Sequence, residues 1–294
     1  MKKEERMKKN IFRFCVIGAV TLATASLAAF DWPQEGVTEN SFSTQFGQLR
    51  GGSYSNALIF AEPAEVSAIE AGTVTAILGG NSNEMGWFQS PLGNAVILSH
   101  DDSILSVYGN LSQVSTSTDT TKVNQGTKLG TSGYSGWQIG QNSLELQVID
   151  TEQEAAINPR IIMSRFQEEP ALSLYGITAV GRNGESFELR GRKSVAAGTY
   201  KLYRGRDQGF FPYSSRVVVN GAEVETITFN NLTRSGRWLT VIGRKPYNAQ
   251  ETYPTTEKQF LTEVTLTQGK NTISITVTDI NGKEYSLTYI LEVW

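Results

Sequence analysis

From about residue 40 onward, short β-branched runs alternate with clusters of Gly, Asn, Asp and Ser, the pattern of strands separated by tight turns. Residues 94–99 (NAVILS) and 104–108 (ILSVY) flank His100-Asp101-Asp102-Ser103 and predict a hairpin. Residues 144–149 (LELQVI) alternate as a further strand, and the Ser/Thr/Asp-rich stretch 112–121 is expected as an exposed loop. Residues 151–166 have room for one short helix after Asn158-Pro159. The charged, Pro-terminated Glu168-Glu169-Pro170 is expected as a linker. Beyond it, Asn183-Gly184, Asn220-Gly221 and Asn281-Gly282 each lie between β-type runs. Asn-Gly suits tight hairpins because both residues tolerate positive φ. In residues 272–277 the apolar side chains alternate with period two, which rules out a helix. The expected fold class is mostly β: one β domain over residues 40–166, then an immunoglobulin-like antiparallel β-sandwich over 171–294.

Residues 1–30 break this pattern. Lys2, Lys3, Arg6, Lys8, Lys9 and Arg13 make a basic start, and an uncharged run over residues 14–30 follows. Small residues at Ser26-Leu27-Ala28-Ala29 complete the layout of a secretory signal peptide. The alternative is an uncleaved membrane anchor, although Thr21, Thr24 and Ser26 make the run a weak spanning helix. Export to the periplasm or cell envelope is therefore expected, with membrane contact only through this segment if it is retained. Cys15 reads as a small apolar residue of the signal.

Composition narrows the chemistry. Hydrophobic residues are 39% of the 294-residue chain and charged ones 19%, enough to bury a core. Twenty-six basic against 29 acidic residues give a net charge of −3, which argues against a nucleic-acid groove. There is one His (His100) and one Cys. Zinc sites dominated by His and Cys, and Ser or Cys triads with a His base, lack their raw material.

Individual clusters are read modestly. His100-Asp101-Asp102 sits in a tight turn where consecutive side chains point apart, so His100 is expected to bond locally rather than to hold metal. Gly51-Gly52 and Gly79-Gly80 read as turns, because no Lys-Ser/Thr follows as in a phosphate loop. Residues 201–206 (KLYRGR), with Arg190 and Arg192 upstream and Tyr200 and Tyr203 interleaved, read as a solvated sheet edge; a polyanion or glycan surface is the alternative. Asn110-Leu111-Ser112 and Asn231-Leu232-Thr233 match the glycosylation pattern only.

Several fragments, in order, resemble one family. Residues 63–74 (PAEVSAIEAGTV) have the cadence of a Pro-x-Gly-x-x-Val…Gly-x-Val strand pair. Residues 93–100 (GNAVILSH) are similar to a Gly-Asn-x-Val-x-Ile-x-His strand, and 108–111 (YGNL) to Tyr-Ala-His-Leu. Residues 123–130 (VNQGTKLG), the small-residue loop 132–136 (SGYSG) and the 148–159 stretch ending Asn-Pro complete the series. Together they resemble the lysostaphin/LytM-type zinc endopeptidases, which cut peptidoglycan cross-bridges. The resemblance implies a LytM-like β domain of the duplicated hybrid motif type.

It also implies a zinc site, and there the sequence departs. The family's early His-x-x-x-Asp falls on Tyr54 and Leu58, and its His-x-His on Ser143-Leu144-Glu145. The His of Tyr-Ala-His-Leu falls on Asn110. Among these, Glu145 alone keeps a strong metal ligand, and neither Asn110 nor Ser143 can serve as the general base. No catalytic residue, metal or other cofactor is therefore expected. Tyr54, Leu58, Asn110, Ser143 and Glu145 become positions of a candidate binding cleft. The expectation is an exported pseudo-peptidase that binds peptidoglycan, or that regulates or scaffolds a cell-wall amidase or other envelope protein. The rivals are a cell-wall zinc endopeptidase with an unorthodox ligand set, and a structural or adhesive β-sandwich module.

Overall fold

The computed structural model describes residues 30–79, 90–136, 143–206 and 211–294. The expected signal segment, apart from Phe30, and Gly80 of the Gly79-Gly80 pair lie outside them. Among the described residues no helix is long and apolar enough to cross a membrane.

The chain is mostly β. Strands Asn94–Ser99 and Ile104–Val114 form the expected hairpin, turned by Asp102 and Ser103, both at positive φ. The second strand runs on through Val114, into the stretch expected as a loop. Its extension is held because Gln113 and Val114 pair with Thr131 and Gly130 of Lys128–Ser132. Its central part, Ile104–Gly109, pairs with Glu145–Asp150, which also pairs with the short strand Leu58–Phe60. Leu58, Val96, Tyr108, Leu111 and Leu146 meet in one buried cluster. Burying each such side chain contributes about 1.5–3 kcal/mol. The expected short helix is Pro159–Ile162, capped by the Asn158 side chain, which accepts from the Arg160 N–H.

All three Asn-Gly pairs make turns. Asn220 and Gly221, both at positive φ, join Ser214–Val219 to Ala222–Ser235. Gly184 and Gly282 take the same backbone region in the other two. A four-stranded sheet (Ser186–Glu188, Thr178–Gly181, Gly198–Gly205, Lys258–Leu266) shares a buried cluster with Ser214–Val219, Gly269–Thr278 and Glu284–Val293 of the large sheet. Leu202, Val217, Leu261, Ile275 and Leu291 lie in that cluster. One pairing departs from the antiparallel expectation: Ser194–Val195 runs parallel to Glu292-Val293, because the chain crosses over before its end.

Packing does not stop at Glu168-Glu169-Pro170. Strand Ala155–Ile157 pairs with Ala222–Ser235 (Ala155 opposite Thr233), so one sheet runs through both halves. Phe46, Tyr54 and Leu58 belong to the same apolar cluster as Phe229, Tyr247 and Tyr253. Between the halves, Arg160 Nη2 lies 2.5 Å from Glu169 Oε1, with both side chains largely buried. The Arg160 guanidinium also lies over the Phe42 and Phe166 rings. Burial lowers the Arg160 pKa and raises that of Glu169, and in each the partner charge works against burial. Removing either member of such a pair costs about 3–5 kcal/mol, since it strands the other charge.

Candidate functional site

The five positions singled out by sequence separate into three settings. Asn110 and Ser143 meet. Asn110 stands at positive φ on Ile104–Val114, and Gly133 pairs with Ser143 in an isolated bridge. The Asn110 amide donates from Nδ2 to Gly133 O at 2.5 Å and to Ser143 O at 2.7 Å. Its Oδ1 accepts from the Gly136 N–H at 2.8 Å. The amide is fully buried with both donors and its acceptor engaged, as a buried polar group requires. Gly133 is obligatory: a Cβ there would fall 2.4 Å from Ser112 N. The glycosylation pattern at Asn110 is closed for the same reason, as the amide is sealed inside the fold.

Glu145 lies next to them, across from Gly109. It is 5% exposed and forms an ion pair with Arg50, Nη1 to Oε2 at 3.1 Å. Its other oxygen accepts from Gln147 Nε2 at 2.8 Å, and Asn56 donates in turn to Gln147. Arg50 reaches Glu145 from a two-residue turn at Gly51-Gly52, both at positive φ, which joins Leu49–Arg50 to Ser53–Tyr54. That pair was correctly read as a turn; the arginine before it gave no local sign of its partner.

Leu58 and Tyr54 are elsewhere in function. Leu58 sits opposite Leu146, without exposure, as a core residue. Tyr54 turns toward the C-terminal half. Its hydroxyl lies 2.5 Å from Thr252 Oγ1 and donates to Tyr247 O at 3.2 Å, while its ring meets Phe229 and Tyr253 edge to face. Burial pushes the Tyr54 phenol well above its usual pKa, so it stays protonated. Tyr253 closes the contact from the other side by donating to Gly47 O at 3.0 Å.

A divalent metal does not fit these residues. Leu58 offers no donor atom. Tyr54 is a protonated phenol already committed to Thr252 and Tyr247. The Glu145 carboxylate is neutralised by Arg50, and a single carboxylate cannot replace three ligands. Among the described residues no group of three or more His, Cys, Asp and Glu is placed so that it could hold a metal ion. The five positions are all buried, so among themselves they do not form the open cleft expected from the sequence. Apolar packing from residues 229–253 occupies the Tyr54 side.

The remaining candidates are placed plainly. His100 bonds nearby through Nε2 to Ser106 Oγ, which continues to the buried Tyr108 hydroxyl, but its Nδ1 lies 2.8 Å from Ala71 O, 29 positions back rather than within its own turn. The basic run 201–206 is not one surface. Lys201 is exposed, but Arg204 is 2% exposed and donates to Gln259 Oε1 and Ser173 O. Strand alternation, not charge, decides which of them meets water.

Comparison with known proteins agrees with the first-half resemblance. Residues 57–159 match the family model of Peptidase family M23, and a second family model matches residues 171–294. No curated protein matches the chain. Among solved structures the chain is similar to a zinc containing peptidase from Vibrio cholerae, at 19% identity and a TM-score of 0.33. That match covers 41% of this chain and 36% of the Vibrio cholerae chain. A structure of the SpoIIQ-SpoIIIAH pore forming complex is 24% identical with a TM-score of 0.37, covering 47% of this chain and 93% of that one. The solution structure of lysostaphin is 14% identical with a TM-score of 0.36, covering 88% and 91%. Residues 57–159 are thus an M23-peptidase-like domain, followed by a further β region.

Proposed function

We propose that this M23-like domain is catalytically silent and that the protein is an exported binding or scaffolding component of the cell envelope. Its partner is peptidoglycan itself, or an envelope protein such as a cell-wall amidase. The observation that carries this reading is the fate of the family's ligand positions: Leu58 is core, Tyr54 is bonded to Thr252, and Glu145 is paired with Arg50. An M23 peptidase needs zinc to polarise the peptide carbonyl and activate water. Here Leu58 has no donor atom, and Tyr54 and Glu145 are already engaged by Thr252 and Arg50, so these positions offer zinc no ligand set.

The test uses the full chain purified without chelators. Elemental analysis should find no stoichiometric zinc, and cell-wall zymograms should show no clearing, while the protein co-sediments with purified peptidoglycan or retains an envelope protein. One zinc per chain, with clearing abolished by chelation and by Glu145→Ala, overturns the reading in favour of an active endopeptidase.

A further inference from the structure

The strand Glu284–Val293 has one side fully matched and the other largely bare. Its ten residues pair without a bulge with Gly269–Thr278. On the outer side, among the described residues, Ser194–Val195 pairs with Glu292 and Val293, and no strand pairs with the rest. Two bonds fix the backbone direction. Glu292 donates outward to Lys193 O, whereas Lys283 O accepts from the Asp279 N–H on the side of Gly269–Thr278. Backbone groups alternate along a strand, so Glu284, Ser286, Thr288 and Ile290 aim their N–H and C=O outward with Glu292.

Burial marks the same boundary. Leu291 and Val293, beside Ser194–Val195, are 0% and 2% exposed. Tyr285, Leu287 and Tyr289, on the same face of the strand, are only half-buried. So is Phe187, on the end strand of the facing four-stranded sheet, and it packs on the same core cluster as Leu287 and Tyr289. On the solvent face Ile290 is 58% exposed. The usual guards against strand addition are missing: Glu284–Ile290 has no Pro, no bulge and no charge facing the core.

The charges narrow what can lie there. At one end of the bare edge, Lys283 Nζ sits over the Tyr285 ring. At the other, Lys193 bonds to Glu292 and the Arg192 guanidinium lies over Phe187. Burial raises the Tyr289 phenol pKa, and the Arg190 charge opposes it, which places Arg190 beside this strand as well. All four basic side chains are exposed. Glu284 is bridged to Arg216 at 3.4 Å and Glu292 stands opposite Lys270, which leaves Glu188 against the four. A second copy pairing antiparallel would bring its own Lys283 to the 190–193 end, like charge against like charge. An extended segment with carboxylates at its ends meets no such conflict.

We propose that the bare edge of Glu284–Ile290 takes up an extended acidic segment of a partner protein as an added strand. Main-chain bonds to residues 284, 286, 288 and 290 give the affinity. Apolar side chains of the segment lie beside Leu287, and its carboxylates reach Lys283 and residues 190–193. The edge lies outside the M23-like domain and stands whether or not that domain is silent.

The experiment follows fluorescence anisotropy of the labelled, end-blocked heptapeptide Glu-Glu-Val-Thr-Val-Glu-Glu as the full chain is added. Saturable binding below millimolar concentration is expected, and none for Lys-Lys-Val-Thr-Val-Lys-Lys. N-methylation of alternate residues should abolish binding in one of its two phases and spare it in the other, since one phase alone turns its N–H toward the edge. Thr288→Pro deletes an outward donor without touching the ladder to Gly269–Thr278, and should weaken binding about tenfold. Arg192→Glu, at an exposed side chain, is the second probe and should weaken it about fivefold. Lys122→Glu, exposed in the M23-like domain, should leave it unchanged. Absence of binding at millimolar concentration, equal loss from both methylated phases or from neither, or affinity untouched by both edge variants overturns the proposal. So does a dimer in sedimentation that Thr288→Pro dissolves and the acidic peptide does not, because the edge then belongs to a second copy. Failure of the peptide alongside retained peptidoglycan co-sedimentation would sink the edge and leave the envelope reading intact.

Discussion

Asn110 in the M23-like domain and Glu225 in the C-terminal region are both polar side chains almost wholly removed from water, and both are fully hydrogen-bonded. They differ in where their bonds lead. Those of Asn110 end on the backbone of Gly133, Gly136 and Ser143, so the network closes on itself. One bond of Glu225 ends on the Tyr247 hydroxyl, whose largely buried ring reaches the edge of a groove in the C-terminal region. The first arrangement makes a packing joint of the position that the resemblance sets against the family's His; the second uses a buried carboxylate to hold the Tyr247 ring in place. Burial and satisfaction of a polar group therefore say little about function until the far end of its bonds is known.

The contrast can be broken most forcefully at Leu58. Restoring the family's carboxylate by Leu58→Asp places a charge against Leu146 with no partner, and should destabilise by about 4 kcal/mol or more. Thermal unfolding followed by circular dichroism should lose its cooperative transition near ambient temperature. A variant that melts like the parent would mean that position 58 admits water, and the core placement of Leu58 fails. Tyr54→Phe is the intermediate case. It deletes a hydroxyl shared by Thr252 and the Tyr247 carbonyl, and should cost about 1–2 kcal/mol in denaturant unfolding. No change would show that the two halves are joined without it.

The smallest effect belongs to Glu251, which lines the groove beside Tyr247. Partial burial pushes the Glu251 carboxylate upward, but hydrogen bonds from Lys245 and the Asn248 N–H, with the charges of Lys245 and Lys201, hold it below its ordinary 4.5. A depressed carboxylate contributes stability that is complete above the unfolded value and is lost as pH falls through the folded one. The stability difference between the parent and Glu251→Gln should therefore be constant at neutral pH and shrink below about 4.5. A difference that persists unchanged into stronger acid would detach Glu251 from the capped turn Ala249–Thr252.

What the sequence made legible was local. Asn-Gly turns, period-two strands and the Asn158-Pro159 helix start depend on residues a few positions apart, and the structure has all of them. The family resemblance rested on the order of short fragments, and the M23 family model matches the stretch that holds most of them, residues 57–159. The occupants of the site were not legible, because they come from far along the chain. Glu145 meets Arg50 from 95 residues away, and Tyr54 meets Thr252 from 198. Charge also misled where strand geometry ruled: the run 201–206 reads as one basic strip, yet its alternation sends Arg204 inward to Gln259.

The single sheet shared by both halves also sets an order of events on the ribosome. Strand Ala155–Ile157 emerges with one side already matched by Glu145–Asp150, and its other side waits for Asn231–Thr233. Tyr253 and its acceptor on Gly47 are separated by 206 positions. Until the later residues arrive, the nascent first half presents an open strand edge beside uncovered aromatic rings, a template for association with neighbouring chains. Contacts of such separation also make the final docking slow compared with the local hairpins. The exposed edge and rings are covered only when the last third has folded over the first.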